Sequence, residues 1–232
     1  MAGTLYGTGV GPGDPELMTL KAVRLIRENE VIALPGPIPE ETVAYQIAVQ
    51  AVPELADKTL VSVNMPMTHD REEINKNHEK AADLLEDYLK KGQNVVFLTL
   101  GDPTIYSTYL YVQKKISARG YETRLASGIT SFCAAAARTN TSLVEWNEQL
   151  HILPAVHRLD SRLEQSGNYV LMKSGRKMNQ VKEILAESGR DVIMVENCGM
   201  KNEKIYRGIE EIPDDAGYYS LIIAKEKHMK HD

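Results

Sequence analysis

The sequence predicts an α/β protein in two dissimilar α/β parts, the N-terminal one on a mostly parallel sheet and the C-terminal one on a mixed sheet. Three observations point that way. Strand-like and helix-like runs alternate through the first half, the rhythm of βαβ units. The run NVVFLTLG carries the unbroken apolar stretch VVFL, as expected of a strand covered on both faces. Beyond the helix-like ITSFCAAAARTN, five strand-like runs follow with only one strong helix among them.

In order, TLYGTGV reads as the first strand, and Pro15 to Asn29 as a helix with Leu17, Leu20, Val23 and Ile26 on one side. EVIALP and TLVSVN are strands. A long charged helix runs from about Asp70 to Lys91, stops at Gly92 and leads into NVVFLTLG. The segment YSTYLYVQKKISARG is helical, and a domain boundary is expected after it, giving parts 1–121 and 122–232. The strand-like runs of the second part are QLHILPA, NYVLMKSG, DVIMVENCG, EKIYRG and GYYSLIIAKEK, with a helix from Lys177 to Glu187.

A length of 232 residues with 43% hydrophobic and 25% charged residues suits a soluble globular chain with a proper core. A formal net charge of -5 gives no reason to expect a nucleic-acid partner. No apolar run approaches the roughly 20 residues of a membrane span and no signal-peptide pattern opens the chain, so a cytoplasmic setting is the default expectation. Cys133 and Cys198 are not in a CxxC spacing, so they are expected to be packing residues rather than zinc ligands or a disulfide framework.

The stretch LYGTGVGPGDPE looks like a nucleotide loop, yet the dinucleotide fingerprint fails. Counted from Gly7 its third glycine falls on Pro12, and counted from Gly9 on Asp14. The tripeptide Gly-Asp-Pro occurs here and again as Gly101-Asp102-Pro103, each time between a strand and a helix. An Asp N-cap followed by Pro starts a helix sharply and occupies the positive end of its dipole, where a phosphate would otherwise settle. The ligand expected at these strand ends is therefore a nucleotide without phosphates, or one held away from these helix starts, and S-adenosylmethionine fits.

The segments GVGPGDPELMTLKA and LTLGDPTIYSTYLY resemble the first two signatures of the tetrapyrrole methylases, and SGITSFCAAAA, YVLMKSG and VENCG follow in the order of that family's later elements. Within the family they are most similar to members that methylate C20 of precorrin-2 or its cobalt complex. The resemblance implies two unlike α/β domains with the cofactor, S-adenosylmethionine, in a cleft between them, S-adenosylhomocysteine as product, a tetrapyrrole substrate and a homodimer. It further implies cofactor contacts at Pro12, Gly101, Asp102, Ile105, Thr130, Ser131 and Met172. Relatives of the sirohaem type commonly have glycine where this chain has Leu100 and Cys198, so neither is expected to be a ligand.

Methyl transfer from a sulfonium to carbon is an in-line displacement, so the chain is expected to supply orientation and no metal or nucleophile of its own. Tyr106 and Asp102 are the candidates for handling the proton that leaves the methylated carbon. A phenol of ordinary pKa, about 10, is a poor base and a better hydrogen-bond partner. Tyr106, Tyr109 and Tyr111 do not share a helical face, so at least one is expected in the core. Arg138, Lys173 and Arg176 are candidates for the substrate's carboxylates, and His151 and His157 are read as structural. Rival readings are another corrin-ring or sirohaem-pathway methyltransferase, a nicotinamide-dependent dehydrogenase, and a tetrapyrrole carrier without turnover.

Overall fold

The computed structural model describes residues 1–65, 70–155 and 163–227, except for the side chain of residue 176. The chain divides into two units, Met1–Thr130 and Ser131–Asp232. In the first, β1 (Leu5–Gly9), α1 (Leu20–Glu28), β2 (Val31–Pro35), α2 (Val43–Ala51) and β3 (Thr59–Val63) are followed by α3 (Arg71–Lys90), β4 (Val95–Thr99), α4 (Tyr109–Ala118) and β5 (Thr123–Ala126). The sheet order is β3-β2-β4-β1-β5, with every pairing parallel. The boundary falls at Thr130 rather than near residue 121, because β5, which no expected strand covered, pairs with β1 and completes this sheet.

Strand alternation sends the two faces of the sheet to different helices. Ile32, Leu34, Val96 and Leu98 pack with Ala22, Leu25 and Ile26 of α1 and Ala44, Ile47 and Ala48 of α2. On the other face Leu5, Ala33, Val61 and Phe97 pack with Leu85 and Leu89 of α3 and Tyr109, Val112 and Ile116 of α4. All five residues of β4 are buried, which explains its unbroken apolar run. Right-handed crossovers account for the division. The steps from β1 to β2 to β3 run one way and carry α1 and α2, whereas the steps from β3 to β4 and β4 to β5 run the other way and carry α3 and α4.

Two local expectations change. The segment 15–29 is not one helix: a short 3-10 turn, Pro15–Leu17, precedes a break, and Thr19 caps α1 by accepting from Ala22 N at 3.2 Å. The buried stripe of α1 is consequently Ala22, Leu25 and Ile26, and Leu20, expected to face the core, is 89% exposed. Of the three tyrosines, Tyr109 is the core residue. It is fully buried, burial pushes its phenol pKa up, and Gly7 makes room for its ring. Tyr111 is exposed and stacks on His78 with ring centroids 4.9 Å apart.

The second unit holds α5 (Ser131–Arg138), β6 (Leu150–Pro154), β7 (Asn168–Met172), α6 (Met178–Ser188), β8 (Asp191–Glu196), β9 (Lys204–Arg207) and β10 (Ser220–Lys225). Its sheet runs β6-β7-β10-β8-β9, with β6 and β7 parallel and the other pairs antiparallel. Tyr169, Leu171, Met194 and Ile222 of the sheet pack with Val181 and Leu185 of α6. His151 is structural as expected, stacked on Tyr169 at 4.7 Å with its Nε2 3.0 Å from Ser166 O, while His157 lies outside the described residues. Cys133 is exposed on α5 rather than packed.

A Cβ on Gly7 would sit 2.1 Å from the Tyr109 ring, whereas one on Gly120 would meet nothing within 4 Å. Gly7→Ala is expected to lower stability by about 1–3 kcal/mol through overpacking. Gly120→Ala carries only the backbone penalty of its φ of +87°, about 1 kcal/mol. Urea denaturation of the two variants measures the difference.

Candidate functional site

Adjacent strands β1 and β4 send their connections to opposite sides of the first sheet, so their C-terminal ends border a topological switch point. The two Gly-Asp-Pro loops leave from there. They are joined directly, since Gly101 N donates to Gly11 O at 2.8 Å and Gly11 N to Gly101 O at 3.3 Å. Both glycines have positive φ, +78° at Gly11 and +69° at Gly101. A third backbone, the loop after β5, closes on the same point. A Cβ on Gly9 would lie 2.3 Å from Gly101 O, and one on Gly128 would lie 2.1 Å from that oxygen.

The aspartates do not act as expected. Asp14 caps the 3-10 turn, accepting from Glu16 N at 2.9 Å, and α1 begins only at Leu20. Asp102 accepts from Thr104 N at 2.8 Å and from the Thr104 hydroxyl, but α4 begins only at Tyr109. Neither carboxylate sits on the dipole of an α-helix, so phosphate repulsion by capped helix starts is not built here. Asp102 is instead a fastener: it is 7% exposed, and its second oxygen accepts from Gly128 N at 2.9 Å. A buried carboxylate sharing three donors between two loops holds the end of β4 against the segment that leads to Thr130.

Around this junction stand Pro12, buried in the first loop, and Ile105, whose N–H donates to Asp102 O at 3.2 Å. Thr130 also lies in this unit, and its hydroxyl oxygen is buried without a hydrogen-bond partner. Tyr106 follows Ile105 with a left-handed φ of +50° and is 44% exposed. For a bulky side chain that backbone is strained by about 1 kcal/mol or more, so the turn presents the ring outward at a conformational cost. Leu100 packs inward against the α1/α2 core.

The remaining expected residues belong to the second unit. Ser131 is the first residue of α5 and Met172 the last of β7. Strands β6, β7 and β8 point the same way, so their C-terminal ends share one edge with the start of β10. Lys173 follows Met172 with a φ of +61°, and desolvation by burial holds its ammonium pKa below the ordinary lysine value. Cys198 follows Asn197, which has a φ of +52°, at the end of β8. Arg138 reaches Glu203 with Nε to Oε1 at 2.6 Å, and the same carboxylate accepts from Gly199 N at 2.7 Å. The Arg176 side chain lies outside the described residues. Among the described residues no three His, Cys, Asp or Glu side chains gather as a metal site.

The part of the site that the sequence did not reveal is the fastening of Asp102 to Gly128 and the glycine contacts behind it. The only trace in the chain is the glycine of SGIT, whose partner 26 residues earlier no local pattern identifies.

Residues 4–212 match the family described as Tetrapyrrole (Corrin/Porphyrin) Methylases. The chain is 34% identical over 227 residues to a probable cobalt-precorrin-2 C(20)-methyltransferase of Methanocaldococcus jannaschii, covering 95% of each. It is 26% identical over 235 residues to the cobalt-precorrin-2 C(20)-methyltransferase of Salmonella typhimurium, covering 98% of each. Among solved structures it is similar to a cobalt precorrin-4 methyltransferase, with a TM-score of 0.75, 20% identity and coverage of 96% of this chain and 94% of that one. It is also similar to the uroporphyrin-III C-methyltransferase of Thermus thermophilus complexed with S-adenosylhomocysteine, with a TM-score of 0.71, 22% identity and coverage of 97% and 98%.

If Asp102 fastens the two loops, Asp102→Asn must turn an amide toward one of its donors. The expected result is a loss of about 1–3 kcal/mol in denaturant unfolding. It is accompanied by weaker S-adenosylhomocysteine binding in calorimetry, and an unchanged unfolding midpoint would remove the fastening role.

Proposed function

The chain belongs to the tetrapyrrole methylases, and on that premise we propose that it transfers the methyl group of S-adenosylmethionine to C20 of precorrin-2 or of its cobalt complex. The observation that carries the choice of carbon is the 34% identity, over nearly the full length of both chains, to a relative named for that position. A homodimer and a cytoplasmic setting belong to the same proposal. They are supported by the family resemblance and, for the second, by the lack of any helix among the described residues long and apolar enough to cross a membrane.

The residues present fit the cofactor. The Thr130 hydroxyl, buried without a partner, is the kind of group a bound molecule satisfies, and the glycine junction behind it keeps side chains away from the strand ends. In this reading Pro12, Gly101, Ile105, Thr130, Ser131 and Met172 hold the cofactor. Asp102 contributes by fixing the backbone of Gly101 and Ile105. The cofactor, when bound, supplies a methyl group already activated by the positive sulfur.

What the chain adds is orientation, which can be worth roughly 7 to 11 kcal/mol when the reacting atoms are held in near-attack geometry. The fastened loops serve that end, because Asp102, Gly11 and Gly101 leave little freedom at the strand ends. Tyr106 is assigned to the substrate. Its outward ring and strained backbone suit a phenol that hydrogen-bonds to the macrocycle through Oη while the proton leaves the methylated carbon.

Following a labelled methyl group from S-adenosylmethionine into precorrin-2 and into cobalt-factor II tests the function, with product NMR to identify the carbon. Label at C20 of either macrocycle is the expected result, and label at another carbon or none overturns it. Tyr106→Phe is expected to lower kcat by roughly tenfold, about 1.4 kcal/mol, with S-adenosylhomocysteine affinity intact. Unchanged turnover would take Tyr106 out of the mechanism.

A further inference from the structure

Building on that methyltransferase reading, we propose that Thr104 is a positioning residue for the methyl transfer. Its hydroxyl fixes the plane of the Asp102 carboxylate, so that one carboxylate oxygen holds the turn leading to Tyr106 and the other holds Gly128, at the start of the segment leading to Thr130.

The carboxylate faces two ways. Its Oδ1 accepts from Thr104 N at 2.8 Å and from the Thr104 hydroxyl, and its Oδ2 accepts from Gly128 N at 2.9 Å. A carboxylate only accepts, so the proton in the side-chain bond is the threonine's. The backbone bond by itself leaves the carboxylate loosely oriented, because its terminal torsion has broad minima. A second donor on the same oxygen removes that freedom. With Oδ1 held from two sides, Oδ2 is aimed across the junction at Gly128, 26 residues away in the chain.

Threonine suits this task because its β-branched side chain has few χ1 choices, so the hydroxyl is placed at little entropic cost. The first Gly-Asp-Pro loop gives an internal contrast. There Asp14 also accepts from the backbone two residues on, Glu16 N at 2.9 Å, but Glu16 carries a carboxylate where the second loop has a hydroxyl. Among the described residues, the loop with the hydroxyl is the one whose aspartate reaches a second loop.

The same bonds set the approach to Tyr106. Ile105 N donates to Asp102 O at 3.2 Å, and beyond Tyr106 the Ser107 hydroxyl accepts from Tyr109 N at 3.2 Å. Tyr106, at its left-handed φ of +50°, therefore stands between two bonded turns. Thr104 is itself exposed, so water competes for its hydroxyl until a ligand covers the strand ends. Excluding that water strengthens the bond to the carboxylate. The fixing is tightest with ligands in place, when the reacting atoms must be aligned.

The test compares Thr104→Val, Thr104→Ser and the unaltered chain. Valine keeps the branched shape without the hydroxyl, and serine keeps the hydroxyl without the branch. Amide hydrogen exchange at Gly128, denaturant unfolding, S-adenosylhomocysteine affinity and steady-state methyl transfer to precorrin-2 and cobalt-factor II are measured on each. In Thr104→Val, Gly128 exchange is expected to quicken roughly tenfold and kcat to fall roughly tenfold, with the macrocycle KM changed less than about threefold. S-adenosylhomocysteine affinity is expected to fall about threefold. The unfolding midpoint is expected to drop by less than in Asp102→Asn, because water can replace an exposed hydroxyl. Thr104→Ser is expected to restore Gly128 protection and most of kcat. Unchanged Gly128 exchange or unchanged kcat in Thr104→Val overturns the positioning role, as does a Thr104→Ser that behaves like Thr104→Val. Each of those results leaves the methyltransferase function standing. Absence of methyl transfer by the unaltered chain overturns that function and this role within it.

Discussion

The contact on which the candidate site depends is backbone against backbone. Gly9, Gly101 and Gly128 come from the ends of β1 and β4 and the loop after β5, and they meet so closely that a methyl group on Gly9 or Gly128 would collide with the Gly101 carbonyl. Parallel strands fan out by their twist, and loops at their ends ordinarily diverge with them. Removing the side chains lets three loops converge; the Asp102 carboxylate locks two of them by accepting from Thr104 and Gly128, and the paired Gly11–Gly101 bonds tie in the third. The energetic logic is that of a buried charge with its donors satisfied: intact it stiffens the junction, and half-satisfied it would be a liability.

The two units differ in what their strand ends carry. The first offers a close-packed backbone junction at a topological switch point, with Tyr106 exposed beside it. The second offers side chains at a strand-end edge, where Lys173 and Asn197 both adopt left-handed backbone and a tyrosine pair stands exposed. Methyl transfer from a sulfonium needs little chemistry from the protein itself. The donor is already activated, so the protein's part is to hold two molecules in a fixed relation, and rigid backbone with placed polar contacts does that.

Away from the strand ends, long-range charge pairing supports the frame. Arg119 near the end of α4 reaches Glu79, Asp83 and Glu86 of α3 at 2.6 to 2.8 Å. A single arginine sharing its fork among three carboxylates fixes how these two helices lie on the sheet beneath them. Arg190 does comparable work in the second unit, donating to the carbonyls of Leu163, Gln165 and Gly167.

The sequence by itself determined the α/β class, the parallel and mixed sheets, most of the strands and the family, because apolar periodicity and the signature loops are local and survive as patterns in the chain. It did not reveal β5, a four-residue strand whose residues are mostly part-exposed, nor α2, whose nearly uniform apolar sequence carries no strong periodicity. It misread Asp14 and Asp102 as α-helix caps, since an Asp-Pro pair that opens a short turn has the same local chemistry as one that opens an α-helix. Only tertiary structure decided that Tyr109 is core while Tyr106 is presented outward, and that Asp102 finds Gly128 across the sheet. Those outcomes follow from which backbones the fold brings within van der Waals contact, a relation between residues far apart in the chain that no periodicity encodes.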